Sequence, residues 1–209
     1  MRILAILLAL FQSLVLFARE NYIPMLRPSN QWNTISRKLI SGVMLDQKIL
    51  RLDADTLIKS FSYYRLIESK DSLKTWNTVG YVREDVPKRK VYLFDGGQEY
   101  LLYDFDVQVG DRVDLYKYRG IVKKVDRILI DGVPRKRVYL DNGDSWVEGI
   151  GALYGSFLQD PYTVGDNMAN LIARYTAFVQ KEHFIYTPID ETNIWGIIEK
   201  LDPQQGWDP

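Results

Sequence analysis

The residues that could do chemistry in this chain are carboxylates. Asp104 and Asp106 stand two apart and Asp111 and Asp114 three apart; a glycosidase needs two acids roughly 5–10 Å apart, which neighbours of this kind on a strand can supply. The same spacing arises on any alternating strand with a wet face. Here Tyr103, Phe105, Val107 and Val109 are expected to point inward and Asp104, Asp106 and Gln108 outward. These acids therefore read as solvent-facing or turn-capping groups. Glu148 says more, because it lies between Trp146 and the glycines Gly149, Gly151 and Gly155. An aromatic platform beside a carboxylate can hold a sugar or a cation, so Trp146 and Glu148 form the candidate ligand-binding pair, with a glycan as the expected ligand. Trp146 could instead anchor the core, with Glu148 sharing its strand face and the glycines permitting a bulge or sharp bend where the strand ends.

Other chemistries are closed off by composition. There is no cysteine, which removes thiol nucleophiles, Cys-ligated metals, disulfides and a lipid-modified N-terminal Cys. His183 is the only histidine, so a multi-His metal site is excluded and a His-based triad has one candidate. Gly155-Ser156-Phe157 lacks the glycines of a nucleophile elbow. His183 reads as a strand or surface residue, and no catalytic residue, metal or cofactor is expected. Two basic clusters, Lys88-Arg89-Lys90 and Arg135-Lys136-Arg137, interleave with Tyr92, Tyr116, Tyr118 and Tyr139 in the manner of a single-strand-binding face. An export signal and zero net charge argue against nucleic acid; an anionic glycan fits better, and charged gatekeeping of exposed strands fits best.

Strands must position these groups. Residues 91–94 and 100–105 are dense in β-branched and aromatic side chains, and Asp95-Gly96-Gly97 can supply the positive φ of a tight reversal, which predicts a hairpin. Asp131-Gly132 and Asn142-Gly143 favour two-residue type I′ loops. They predict three consecutive antiparallel strands over 125–130, 133–140 and 145–148, with Pro134 at a strand start or edge. Further strands are expected over 48–52, 57–67, 74–83, 113–118 and 121–130, with a break at Asp85-Val86-Pro87. Pro24 and Pro28 predict an extended lead-in to Trp32, the first core anchor, and 36–47 is ambiguous. Met168, Leu171, Ile172, Tyr175, Phe178 and Val179 fall at helical spacing behind Asp166 or Asn167, yet several are β-formers and 183–186 resembles a return strand. An echo between Asp55–Ile58 with Trp76 and Asp126–Ile130 with Trp146 suggests two related halves.

The 27 basic and 27 acidic residues, 46% apolar and 13% aromatic, suit one core. Zero net charge gives no broad attraction to nucleic acid or anionic membrane, so any such binding must be local. Met1-Arg2, the apolar run ILAILLALFQSLVLFA ending at Ala18, and then Arg19-Glu20 are the pattern of a secretory signal peptide over 1–18. Leu16 is large for its place before the cleavage site. A retained anchor is the alternative, though the run is short for a bilayer core of about 30 Å.

WNTVGYVREDVPKRKVYLF, GQEYLLYDFDVQVGD, VDRILIDGVPRKRVYL and DSWVEGIGALYG, in that order, resemble a family of exported Bacteroidetes proteins with no assigned activity, marked by YDF-x-x-x-VGD and W-[VI]-EGIG phrases. The resemblance implies a strand pair after the second phrase, hence strands over 170–187. Many members carry a C-terminal sorting domain for type IX secretion; this chain ends soon after Trp207 and departs from them there. The family supplies no catalytic residues.

The expectation is an all-β protein: an antiparallel meander of about ten strands forming a barrel or two packed sheets, in a single domain over 19–209. It is expected to be exported, to the periplasm, cell surface or extracellular space, without a membrane span once the signal is removed. A noncatalytic binding or structural module of the cell envelope is the expected function, with a glycan or an envelope protein as partner. The rivals are a barrel enclosing a small apolar or glycan ligand and a carboxylate-dependent glycan hydrolase.

Overall fold

The computed structural model of the chain describes residues 22–38, 44–153, 156–159, 163–164, 172–180 and 183–186. The signal-peptide reading of 1–18, the N-cap candidates Asp166 and Asn167, Met168, Leu171, Gly155 and Trp207 lie outside them. All regular structure among the described residues is strand. In chain order the strands are β1 (Asn30–Lys38), β2 (Met44–Ile58), β3 (Phe61–Ser69), β4 (Asn77–Asp85), β5 (Lys90–Asp95), β6 (Gln98–Asp104) and β7 (Arg112–Asp114), followed by β8 (Arg119–Ile130), β9 (Val133–Leu140), β10 (Ser145–Val147), β11 (Gly151–Ala152), β12 (Thr163–Val164), β13 (Ile172–Gln180) and β14 (His183–Tyr186).

They form two antiparallel sheets that curl into half-barrels. The larger has the order β12-β13-β1-β2-β3-β4-β5-β6, with β14 also paired to β13; the smaller runs β11-β10-β9-β8-β7. Backbone hydrogen bonds bridge the sheets on both sides: Tyr116 N donates to Leu101 O (2.9 Å) beside β6, and Thr176 N on β13 donates to Leu153 O (3.3 Å) just after β11. One core therefore fills the space between them. Trp32 on β1 packs 4.4 Å from Phe157 and 5.7 Å from Phe178, and Tyr103 meets Trp146 edge-on at 5.6 Å.

The expected hairpin over β5 and β6 is present, its turn made by Gly96 and Gly97 at φ 55° and 84°. Asp131-Gly132 forms the two-residue loop it predicts, with Ile130 opposite Val133 and φ of 51° and 69°. Three expectations need correction. Asn142-Gly143 belongs to a three-residue loop: Leu140 N pairs with Asp144 O, Gly143 N donates to Leu140 O, and only Gly143 of the two dipeptide residues has positive φ, the geometry of a type I turn closed by a bulge. The strand expected over 57–67 is cut by a reversal at Lys59-Ser60, both left-handed, which leaves Leu57 and Ile58 at the end of β2. The strand expected over 113–118 stops at Asp114, where Leu115 N turns back to Tyr118 O.

The ambiguity at the C-terminal side resolves to strand, because Trp32 to Thr34 on β1 pair with Phe178 to Thr176 on β13. The internal echo corresponds to a three-strand meander in each sheet, β2-β3-β4 and β8-β9-β10, each beginning with a two-residue left-handed turn. Their tryptophans differ: Trp146 lies in the core, whereas Trp76 lies in the β3–β4 connection with Arg51 3.9 Å over its ring.

Alternating strand direction gives the barrel an upper end, toward which β4 and β6 run. The turn at 86–89 and the start of the loop at 105–111 lie there, joined by Phe105 N donating to Arg89 O (2.9 Å), and the loop then runs down to β8, where Gly110 N donates to Val122 O (2.9 Å). The smaller sheet is registered to that end by Lys136, near the start of β9, whose Nζ donates to Phe105 O (2.8 Å) and Val107 O (2.6 Å). The lower end carries the turns at 115–118 and 141–144, where Tyr118 OH donates to Asp141.

Candidate functional site

The ionisable groups with the densest connections gather at the upper end, around residues 22–26. Pro24 keeps this stretch extended, so its amides face outward from the chain without a strand partner of their own. Two carboxylates supply the acceptors. Glu84, near the end of β4, accepts Tyr22 OH (2.6 Å) and Met25 N (2.9 Å) on Oε1 and Leu26 N (3.0 Å) on Oε2. Glu148, just after β10, accepts Ile23 N (2.7 Å) on Oε1 and Lys136 N (3.2 Å) on Oε2. Burial, and then the charge of Glu84, push the Tyr22 phenol far above its ordinary range, which keeps it a donor. Asn30 Nδ2 closes the strap by donating to Met25 O (2.7 Å).

Two cations complete the cluster. Arg135 is buried, and its Nη1 donates to Glu148 O (3.1 Å) while its Nε has no partner. Burial lowers the pKa of the Arg135 guanidinium and of the Lys136 ammonium. Gly149 makes room for this arrangement: a Cβ there would stand 2.5 Å from Arg135 Nη1 and 2.7 Å from Ile23 Cγ2, on a backbone at φ +77°. Every hydrogen bond just described goes to the chain's own backbone or to Tyr22. Chemically the cluster is a fastener.

Trp146 and Glu148 face inward. Trp146 is 1% exposed and Glu148 7%, so neither presents a surface on which a glycan ring could lie. The indole is edge-on to Tyr103, whose hydroxyl donates to Phe157 O (2.6 Å) and accepts Ala152 N (3.3 Å). Three of the four aspartates are spent locally, Asp104 binding Lys90 (3.0 Å) and capping Asp106 N (3.0 Å), Asp111 capping Gln108 N (2.8 Å) and Asp114 pairing with Arg119 (2.6 Å), and Asp106 is exposed. Tyr103, Phe105 and Val107 point inward as expected; Val109 does not, because β6 ends at Asp104 and a turn carries Val109 into solvent at 62% exposure. The basic cluster at 135–137 is not a set of surface gatekeepers, since Arg135 and Lys136 serve the fastener and Arg137 binds Asp126 through two contacts of 2.9 and 3.0 Å. His183 lies on β14. Among the described residues no three His, Asp or Glu side chains gather in a way that could hold a metal ion.

Two groups escaped the sequence reading. Glu84 shares a strand face with buried Val82, two residues before it, so alternation alone places an acid on the core side. The second is Arg83, on the opposite face, which forms a two-point contact with Glu99 (2.6 and 2.7 Å) and lies 4.1 Å from the Tyr92 ring and 4.6 Å from that of Phe61. Arg83 in turn holds the Glu99 carboxyl below its ordinary range, and Tyr63 OH donates to the same acid. The β2–β3 turn leans over this face, with Lys59 Nζ 3.5 Å from Gly97 O.

In comparisons of the chain with family models, curated proteins and solved structures, nothing matches.

Proposed function

We propose that this chain is a noncatalytic binding or structural module of the cell envelope. The observation that carries it is the use made of the carboxylates at the upper end: Glu84 and Glu148 hold the amides of Ile23, Met25 and Leu26, which suits a rigid scaffold. An acid committed to backbone amides on both oxygens is poorly placed to exchange a proton with a substrate. The apolar run over residues 3–18 supports the envelope as destination.

The test combines stability with location. As fasteners, Glu84→Gln and Glu148→Gln each leave a buried donor facing another donor, at a cost of about 1–3 kcal/mol, and Tm is expected to fall by roughly 3–10 °C. A rise in Tm on either substitution, the behaviour of a strained functional acid, would overturn the noncatalytic reading. Recovery of the full-length gene product from the cytoplasm of a bacterium with two membranes, rather than from its envelope fractions, would overturn the destination.

A further inference from the structure

We infer that Asn142 is a self-modification site: the folded chain closes a succinimide ring between Asn142 and Gly143 and converts the asparagine to aspartate and isoaspartate. Asn142-Gly143 is the one Asn-Gly pair in the sequence, and it stands at the exposed tip of the loop between β9 and β10. Glycine presents an attacking amide with no Cβ beside it. A Cβ built at Gly143 meets nothing within 4 Å, so ring closure and the entry of water have open space there.

The loop favours the reaction in two ways. Asp144 N donates to Asn142 Oδ1 (3.0 Å), a local turn that folds the side-chain amide back over the peptide to Gly143. The attacked carbon and the attacking nitrogen are thus held near one another, which removes much of the entropic cost of ring closure. The same N–H holds the oxygen on which negative charge develops during attack. One contact opposes: Gly143 N donates to Leu140 O at 3.2 Å, at the long end of the range for such bonds, and must let go first.

The atoms balance with water as the only co-reactant. Gly143 N bonds to Asn142 Cγ and gives up its proton, the Cγ–Nδ2 bond breaks, and ammonia leaves. Water then opens the ring. Attack at Cγ restores the normal backbone with an aspartate; attack at the main-chain carbonyl carbon routes the chain through the side chain as isoaspartate. That product adds one backbone carbon to a loop closed by Leu140 N donating to Asp144 O (2.9 Å), and the loop sets the start of β10 and with it Trp146. Both products put a new charge beside Asp141 and Asp144. The extent of reaction therefore records the age of the folded chain.

The competing positions are less reactive. Asn30 and Asn33 are buried on β1, and Asn33 and Asn77 each precede a threonine. Asp95-Gly96 and Asp131-Gly132 share the spacing, but a carboxylate resists attack by nitrogen and has no ammonia to lose.

The test holds the folded full-length chain in mildly alkaline buffer at physiological temperature, then maps its peptides by mass spectrometry, with electron-transfer fragmentation to locate isoaspartate. Asn142 is expected to convert roughly ten-fold or more faster than Asn33 and Asn77, whose β-branched neighbours crowd the nitrogen, and isoaspartate should exceed aspartate. Asn142→Gln, which would need a larger ring, should stay unmodified. Aged protein should melt below both fresh wild type and fresh Asn142→Asp, because only isoaspartate lengthens the loop. Three results would overturn the inference: an Asn142 amide that survives in the folded chain while the urea-unfolded chain loses it, conversion spread evenly over the asparagines, or aspartate formed without isoaspartate.

Discussion

Glu84 and Glu148 belong to different sheets and grip one peptide: Glu148 takes the amide of Ile23, and Glu84 those of Met25 and Leu26. The strap at 22–26 thus ties the end of β4 to the end of β10, across the upper rim of the barrel. Backbone bonds join the sheets at two lateral seams, and the carboxylates provide a third connection at the rim.

Gly149 is the tightest point beneath the strap. Gly149→Ala places a methyl group 2.5 Å from Arg135 Nη1 and 2.7 Å from Ile23 Cγ2 and strains a left-handed backbone. The left-handed conformation alone costs about 1–3 kcal/mol. Chemical denaturation should show at least that loss; a neutral variant would mean that the strap is not seated as described.

Trp146→Ala removes an indole that is 1% exposed, and truncations of this size cost about 3–5 kcal/mol. Thermal melting is expected to show a large loss of stability. A variant that melts like the wild type but loses binding on a glycan array would restore Trp146 and Glu148 as a ligand platform.

Acid should weaken the smaller sheet. Arg137, through two hydrogen bonds, and then Lys124 lower the Asp126 carboxyl to about 2, below the ordinary value of about 3.9. The unfolded chain therefore binds the proton first, so the contribution of Asp126 is complete above about pH 4 and is lost as pH falls toward 2. Carboxyl-detected NMR should find Asp126 titrating near 2, and Asp126→Asn should reduce the slope of the stability profile in that window, the rest of which belongs to other lowered carboxyls such as Asp71. A midpoint near 4 would contradict the pairing.

Arg83 and Glu99 are coupled across the outer face of the larger sheet. A double-mutant cycle with Arg83→Met and Glu99→Gln should give a coupling of about 1 kcal/mol, raised by desolvation between the Tyr92 and Phe61 rings above that of a fully exposed pair. Strict additivity would show that the two side chains do not share this geometry in solution.

Much of the fold was legible because glycine-bearing turns and strand alternation act locally. Gly96-Gly97 and Asp131-Gly132 announced their hairpins, and Tyr103, Phe105 and Val107 fell on the core side as their spacing implied. Lys59-Ser60 was not legible, since neither residue prefers the left-handed region and tertiary pairing of β2 with β3 imposes it. At Ile172–Gln180 the residues alone left helix and strand open, because helical spacing coincides there with β-forming side chains, and the pairing with β1 that decides for strand depends on residues far away in sequence. At the candidate site, the proximity of Glu148 to glycines and its place on the strand face of Trp146 were visible, but the groups that satisfy its carboxylate were not. An inward carboxylate is stable only because the amides of Ile23 and Lys136 meet it there, and no local pattern encodes that meeting.

The most direct test of the fastener is amide hydrogen exchange at Ile23, Met25 and Leu26 in the folded protein. The account predicts slow exchange at all three, with Glu148→Gln releasing Ile23 selectively and Glu84→Gln releasing Met25 and Leu26. Exchange at the rate of an unstructured peptide in the wild type, or protection that neither substitution changes, would contradict it.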